Sequence, residues 1–201
     1  MTTPVTDSAA AADTATAPAA STTAATDFDF ESLIVSIPDY PEPGVVFKDI
    51  TPLLADAEGF AAVVDAISGH FANRGITKVV CAEARGFMVG APVARALGAG
   101  FVPARKPGKL PRESICESFE LEYGTDELHI HTDALTADDV VLIVDDLVAT
   151  GGTANAQVRL IERCGAKLAG MGFLMELAFL NPRATIATAT DVEVFSLVQV
   201  K

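Results

Sequence analysis

Basic residues are scarce in this chain: 14 Lys and Arg stand against 27 Asp and Glu, a net charge of −13 over 201 residues. A general nucleic-acid binder needs a basic footprint to displace phosphate counterions, so that class is set aside. Long apolar runs are missing too. Half of the residues are hydrophobic, yet no run approaches the ~18–20 residues that a membrane helix requires, and no membrane span is expected. Cysteine is limited to Cys81, Cys116 and Cys164, an odd number, widely spaced, with no C-x-x-C pair. That gives no support to a zinc site or a disulfide framework, and fits a reducing compartment such as the cytoplasm. Neither G-x-x-x-x-G-K-[ST] nor G-x-G-x-x-G occurs, so the usual nucleotide motifs are absent. The first 26 residues hold ten Ala and eight Thr but no Lys or Arg. Without a basic n-region or an Arg-rich face they are neither signal nor transit peptide, and are expected to be a disordered tail. One domain over 27–201 has length enough for an adequate core.

What is present is organised around Val140 to Ala154, VVLIVDDLVATGGTA. Five apolar residues, Val140 to Val144, end in two adjacent carboxylates, Asp145 and Asp146. A small-residue loop, Leu147 to Thr153, leads into a helical pattern. This reads as a buried parallel strand, a polar turn at its carboxyl end and a helix start, the position where ligands of open α/β sheets sit. Glycines let backbone N–H groups close around an anion, and the helix start adds unpaired donors and a positive dipole end. Thr150 and Thr153 offer hydroxyls to the same oxygens. Asp145 and Asp146 would repel a bare phosphate but accept hydrogen bonds from sugar hydroxyls or hold a Mg²⁺ shell. A ribose 5-phosphate satisfies both halves.

In chain order, Phe30, Leu33, Ile34 and Ile37 recur at helical spacing and Pro38 stops that helix. A proline-rich connector leads into Val45 to Pro52, where composition alone makes Phe47 a core plug. Asp56 caps a helix with Phe60, Val63, Val64, Ile67 and Phe71 on its apolar face, closed near Gly75. Lys78 to Ala82 is a buried strand turning through Glu83-Ala84-Arg85-Gly86 into a helix that reaches Gly98. At such a turn an arginine is ordinarily a surface or capping residue, unless a partner anion is present. Gly100 to Pro103 is the next strand. The following segment, Arg105 to Arg112, holds four of the fourteen basic residues in eight positions, and reads as a mobile loop facing a polyanion. Phe119 to Tyr123 and Glu127 to His131 alternate around Gly124 and predict a hairpin. His129 and His131 share one of its faces, but no third metal ligand is placed with them, so a solvated edge is expected. A helix ending at Gly165 and strands at Lys167 to Met175 and Val192 to Val200 complete a mostly parallel α/β sheet flanked by helices.

PGVVFKDITP at 43–52, EARGF at 83–87, RKPGKLPRES at 105–114, LEYG at 121–124 and the central string together resemble the adenine branch of the type I phosphoribosyltransferases, in order and spacing from about residue 30 onward. The resemblance implies purine salvage: transfer of the phosphoribosyl group of 5-phosphoribosyl 1-pyrophosphate (PRPP) to N9 of adenine, giving AMP and pyrophosphate. It further implies that Ala149, Thr150, Gly151, Gly152 and Thr153 wrap the 5-phosphate, that Asp145 and Asp146 meet the ribose hydroxyls, and that Arg85, Lys106 and Lys109 bind the pyrophosphate with Mg²⁺. Phe47 and Leu177 would sandwich the adenine, reversing the core-plug expectation, with Val46 at its edge. Lys48 takes a place where some relatives carry Arg, and lacks the planar fork. The resemblance makes residues 105–131 a lid and Glu122 the acid–base residue, sets the Glu83–Ala84 bond cis, and implies a homodimer. Two rivals remain open at this stage: a phosphoribosyltransferase for a 6-oxopurine, and a PRPP-sensing regulator that contacts DNA.

Overall fold

The computed structural model describes residues 28–120 and 124–201. The expectations for the 1–26 tail and for Glu122 lie outside the described residues. A five-stranded sheet in the order β4-β3-β7-β8-β9 forms the centre: β3 Lys78–Ala82, β4 Gly100–Ala104, β7 Val140–Val148, β8 Lys167–Leu177 and β9 Val194–Val200. All four strand pairings are parallel, as the strand–helix alternation requires. Because side chains alternate across a strand, each strand feeds two layers. Val79, Cys81, Leu142 and Val144 pack on the side of α1 Thr51–Ala55, α2 Ala57–His70 and α3 Gly86–Leu97. Val80, Ala82, Val141 and Ile143 pack on the side of α4 Gly152–Arg163. Burial of each large apolar side chain contributes roughly 1.5–3 kcal/mol.

Two antiparallel hairpins flank this sheet: β1 Val35–Pro38 with β2 Val46–Asp49, and β5 Ser114–Glu120 with β6 Thr125–His131. The first corrects a sequence expectation. Only Glu31–Leu33 makes a helical turn, and Val35–Pro38 is extended. Ile37 pairs opposite Phe47: four residues with two β-branched side chains gain more from a ladder than from an isolated turn of helix. The proline-rich connector is that hairpin's loop, with a cis Tyr40–Pro41 bond. Asp56 does cap α2, its carboxylate accepting from the Gly59 N–H at 2.7 Å. β7 runs on through the two aspartates to Val148, longer than expected. Short α5, Pro182–Ile186, had no clear signal in the sequence.

The second hairpin is not a free-standing flap. Phe119, Leu128 and Ile130 are buried, and Glu117 is gripped from α4 by Arg159 at 3.0 Å and Arg163 at 2.7 Å. The expectation of a lid spanning 105–131 is therefore narrowed, because the hairpin's inner face belongs to the core.

Candidate active site

The strand order reverses direction of growth between β3 and β7: the chain passes from β3 to β4 on one side, and from β7 to β8 and β9 on the other. A crevice forms outside the carboxyl ends at such a point, since the two crossover helices leave in opposite directions. Here β3 runs out into Glu83-Ala84-Arg85, and Asp145-Asp146 lie near the carboxyl end of β7. The Arg85 Nε lies 2.9 Å from an Asp146 carboxylate oxygen, joining the two strand ends. The Glu83–Ala84 peptide is cis. Gly86 opens α3 directly against Asp145, and a Cβ there would overlap the Asp145 carboxylate. The EARG turn thus needs glycine to pass this close.

Asp145 and Asp146 are both buried. Burial, then the neighbouring Asp146 charge, pushes the Asp145 carboxyl well above its ordinary range, against an opposing pull from Arg85. One Asp145 oxygen accepts the Asp146 N–H at 2.9 Å. Beyond them the turn reaches Gly151, whose φ of +90° is left-handed, and α4 starts at Gly152. No side chain caps this helix and its first turn holds no acidic residue. The unpaired N–H groups of a helix start, with the positive end of its dipole, are therefore left for a ligand. Beside them lies a cleft of about 590 Å³, bounded by Thr150 and Gly152 of the turn, Asn155 and Arg159 of α4, and Phe119 and Thr125 of the hairpin.

The basic segment is tied to the same edge. Arg105 Nε meets Glu83 at 2.5 Å and Lys106 Nζ meets Asp126 at 2.6 Å. Burial raises the Glu83 carboxyl, but the hydrogen bonds from Arg105 and from the Lys106 backbone outweigh it and hold it below its ordinary range. Lys109 is exposed. Phe47 is half-buried, with Tyr40 edge-on at 5.3 Å and the Arg85 guanidinium 5.9 Å from its ring centre. It is absent from the main core, so the core-plug expectation from composition is corrected.

A phosphoribosyl transferase domain family matches residues 49–199. An adenine phosphoribosyltransferase of Aeromonas salmonicida is 54% identical over 169 residues, covering 84% of this chain and 93% of its own length. The chain belongs to the adenine phosphoribosyltransferase family. Solved structures agree. That of an adenine phosphoribosyltransferase from Thermoanaerobacter pseudethanolicus superposes with a TM-score of 0.81 at 44% identity, over 85% of this chain and 98% of that one. One from Giardia lamblia, complexed with 9-deazaadenine, gives 0.81 at 36% identity, over 86% and 97%.

Within this adenine phosphoribosyltransferase fold, Arg85, Asp145, Asp146, Phe47 and the Ala149–Thr153 turn converge on one edge, with Leu177 ending β8 on the same side of the sheet. Lys48 does not join them. It alternates with Phe47 along β2, so its side chain takes the other face, where its ammonium donates to Ser36 Oγ at 2.7 Å. Sequence reasoning passed over Glu176. Buried at the end of β8, it holds Arg183 at 2.8 Å and accepts from Ser196 at 2.8 Å. Its only sequence signal was a carboxylate ending an apolar strand.

Proposed function

We propose that this chain transfers the phosphoribosyl group of PRPP to N9 of adenine at the carboxyl edge of β3 and β7, releasing AMP and pyrophosphate. The observation that carries the reading is an uncapped α4 N-terminus reached by one short turn from two buried carboxylates in the last residues of β7. N–H donors for an anion beside carboxylate acceptors for sugar hydroxyls fit a ribose 5-phosphate.

Ala149, Thr150, Gly151, Gly152 and Thr153 wrap the 5-phosphate, and Asp145 and Asp146 take the ribose hydroxyls. Arg85 is half-exposed while paired to Asp146. It exchanges that carboxylate for the incoming pyrophosphate, and the exchange frees Asp146 for the ribose. Lys106 and Lys109 bring further positive charge from the basic segment. Adenine lies between Phe47 and Leu177 with its edge on the Val46 backbone. Lys48, its ammonium committed to Ser36, serves the base through the backbone of its strand rather than by its side chain. Breaking the C1′–O bond leaves a cationic ribosyl centre and a polyanionic leaving group. Arg85 and the two lysines stabilise the anion as it departs, and closure of the basic segment keeps water from the cation. Glu122 handles the proton on the purine ring as N9 attacks C1′.

The donor set also suits Mg²⁺, a hard cation held by one or two carboxylates, waters and substrate phosphates. Asp145 and Asp146 are adjacent buried carboxylates that would offer it oxygen donors directly or through water. When bound with PRPP, Mg²⁺ supplies charge neutralisation at the pyrophosphate oxygens. We further read the protein as a homodimer, since Tyr40, Val46, Phe179 and Leu180 expose apolar surface. We place it in the cytoplasm, as its three cysteines are unpaired. Among the described residues no helix is long and apolar enough to cross a membrane.

The test is AMP formation from adenine, PRPP and Mg²⁺, with hypoxanthine, guanine and xanthine run alongside. Turnover with adenine alone is expected. Turnover with a 6-oxopurine instead would leave the phosphate site standing and overturn the base pocket.

A further inference from the structure

The β5–β6 hairpin has an outer face that the reaction does not use. Its register sets Cys116 directly opposite His129 and Ser118 opposite Glu127. Residues two apart on a strand share a face, so Cys116, Glu127 and His129 come together although eleven or more residues separate the cysteine from the other two. One donor atom from each, a sulfur, a carboxylate oxygen and a ring nitrogen, lies within 4.8 Å of the other two. Strand pairing thus brings Cys116 to Glu127 and His129, a third donor that the sequence expectation for His129 did not place there.

We propose that Cys116, Glu127 and His129 form a binding site for one thiophilic divalent cation of the Zn²⁺ class, with water in the fourth position. A tetrahedral zinc centre with bonds of about 2.0–2.3 Å places its ligand atoms roughly 3.3–3.8 Å apart. The three donors therefore need to close by only an ångström or so, within reach of side-chain rotation. The ligand types also select the metal: thiolate and imidazole favour Zn²⁺ over Mg²⁺, which wants oxygen alone. This separates the site from the Asp145–Asp146 pair, which offers only oxygen. Access is open, because Cys116 is exposed and the Glu127 side chain is 43% exposed. The scaffold is firm. Arg159 and Arg163 hold the intervening Glu117 from the opposite face, and the Arg163 guanidinium also donates to the Cys116 carbonyl at 2.5 Å. Without metal, His129 and Glu127 share only a 3.2 Å hydrogen bond, which a cation replaces at small cost. Bound metal cross-links the two strands whose connection contains Glu122.

The experiment is a Co²⁺ titration of the full-length chain after stripping with a chelator, without PRPP, followed by displacement with Zn²⁺. One equivalent of Co²⁺ with a thiolate-to-cobalt charge-transfer absorption is expected, abolished by Zn²⁺. Cys116→Ser should lose that absorption and Cys164→Ser should keep it. His129→Gln should weaken binding by at least about tenfold, a loss that even outer-shell changes produce. Circular dichroism of each variant confirms that it is folded. No charge-transfer absorption in the parent chain overturns the site, as does an absorption that survives in Cys116→Ser. Mg²⁺-dependent AMP formation by the stripped protein is measured separately, so failure here leaves the phosphoribosyl reading untouched.

Discussion

Asp145 carries a carboxyl that the fold penalises when it ionises. Burial is the first cause and the charge of Asp146 the second, and they lift it well above its ordinary 3.8. A raised folded-state value means that the native protein holds the proton more tightly than the unfolded chain. Native stability therefore falls as pH rises from about 4 toward the folded value, and the whole deficit is present above it. Asparagine keeps the shape and removes the titration. Asp145→Asn should melt above the parent near neutral pH, with the two melting curves converging below about pH 4, while AMP formation collapses. A variant that melts below the parent at pH 7 would remove the electrostatic penalty from the account. Glu122 belongs to the same scale. Glu122→Gln should lower kcat by ~10²–10⁴, the usual size of acid–base assistance, and a loss under about threefold would take it out of the reaction.

The turn into α4 is the element on which the proposed phosphate binding rests, and Gly151 is its pivot. At φ +90° an alanine is strained by about 1–2 kcal/mol, since its Cβ crowds the backbone. That Cβ would also stand 3.0 Å from the Pro182 carbonyl and 3.1 Å from Thr185. Both α5 contacts and the loop must yield. Gly151→Ala should therefore raise the KM for PRPP well before it raises that for adenine, with fold retained by circular dichroism. Equal rises for both substrates would show that the turn serves the base pocket too. Here the sequence was a sound guide to function, because a strand, two acids and a small-residue turn are local. It was a poor guide to length. The apolar run ended at Val144, yet the strand continues to Val148, because Asp145 and Leu147 find partners on β8 at Phe173 and Met175.

At the scale of the molecule, Glu176 ties the far side of the sheet together. It stands next to the end of β8, accepts three hydrogen bonds from Arg183 of α5, and takes the Ser196 hydroxyl of β9. Arg183, opposed by burial and aided by Ser196, holds the carboxyl below its ordinary 4.5. A lowered folded-state value contributes stability that is present above the unfolded value and lost as pH falls through the folded one. Glu176→Ala should cost roughly 1–3 kcal/mol at neutral pH, the penalty for stranding partners of a buried group, discounted because Arg183 is half-exposed. Urea unfolding at pH 7 and pH 3 checks it. An undiminished difference at pH 3 would rule out the ion pair as its source.

Sequence by itself determined the α/β class, the boundaries of β3, the cap at Asp56, the small-residue turn before α4 and the family, the VVLIVDDLVATGGTA string giving the superfamily and the PGVVFKD and LEYG strings its adenine branch. Each depends on residues adjacent in the chain, where spacing alone fixes which groups meet. Tertiary structure alone decided that Val35–Pro38 is a strand, that Lys48 turns away from Phe47, and that the hairpin packs on α4. Only there did Cys116 come to face His129. These rest on strand register and on partners many residues distant, and a single strand's pattern does not contain the register of its neighbour.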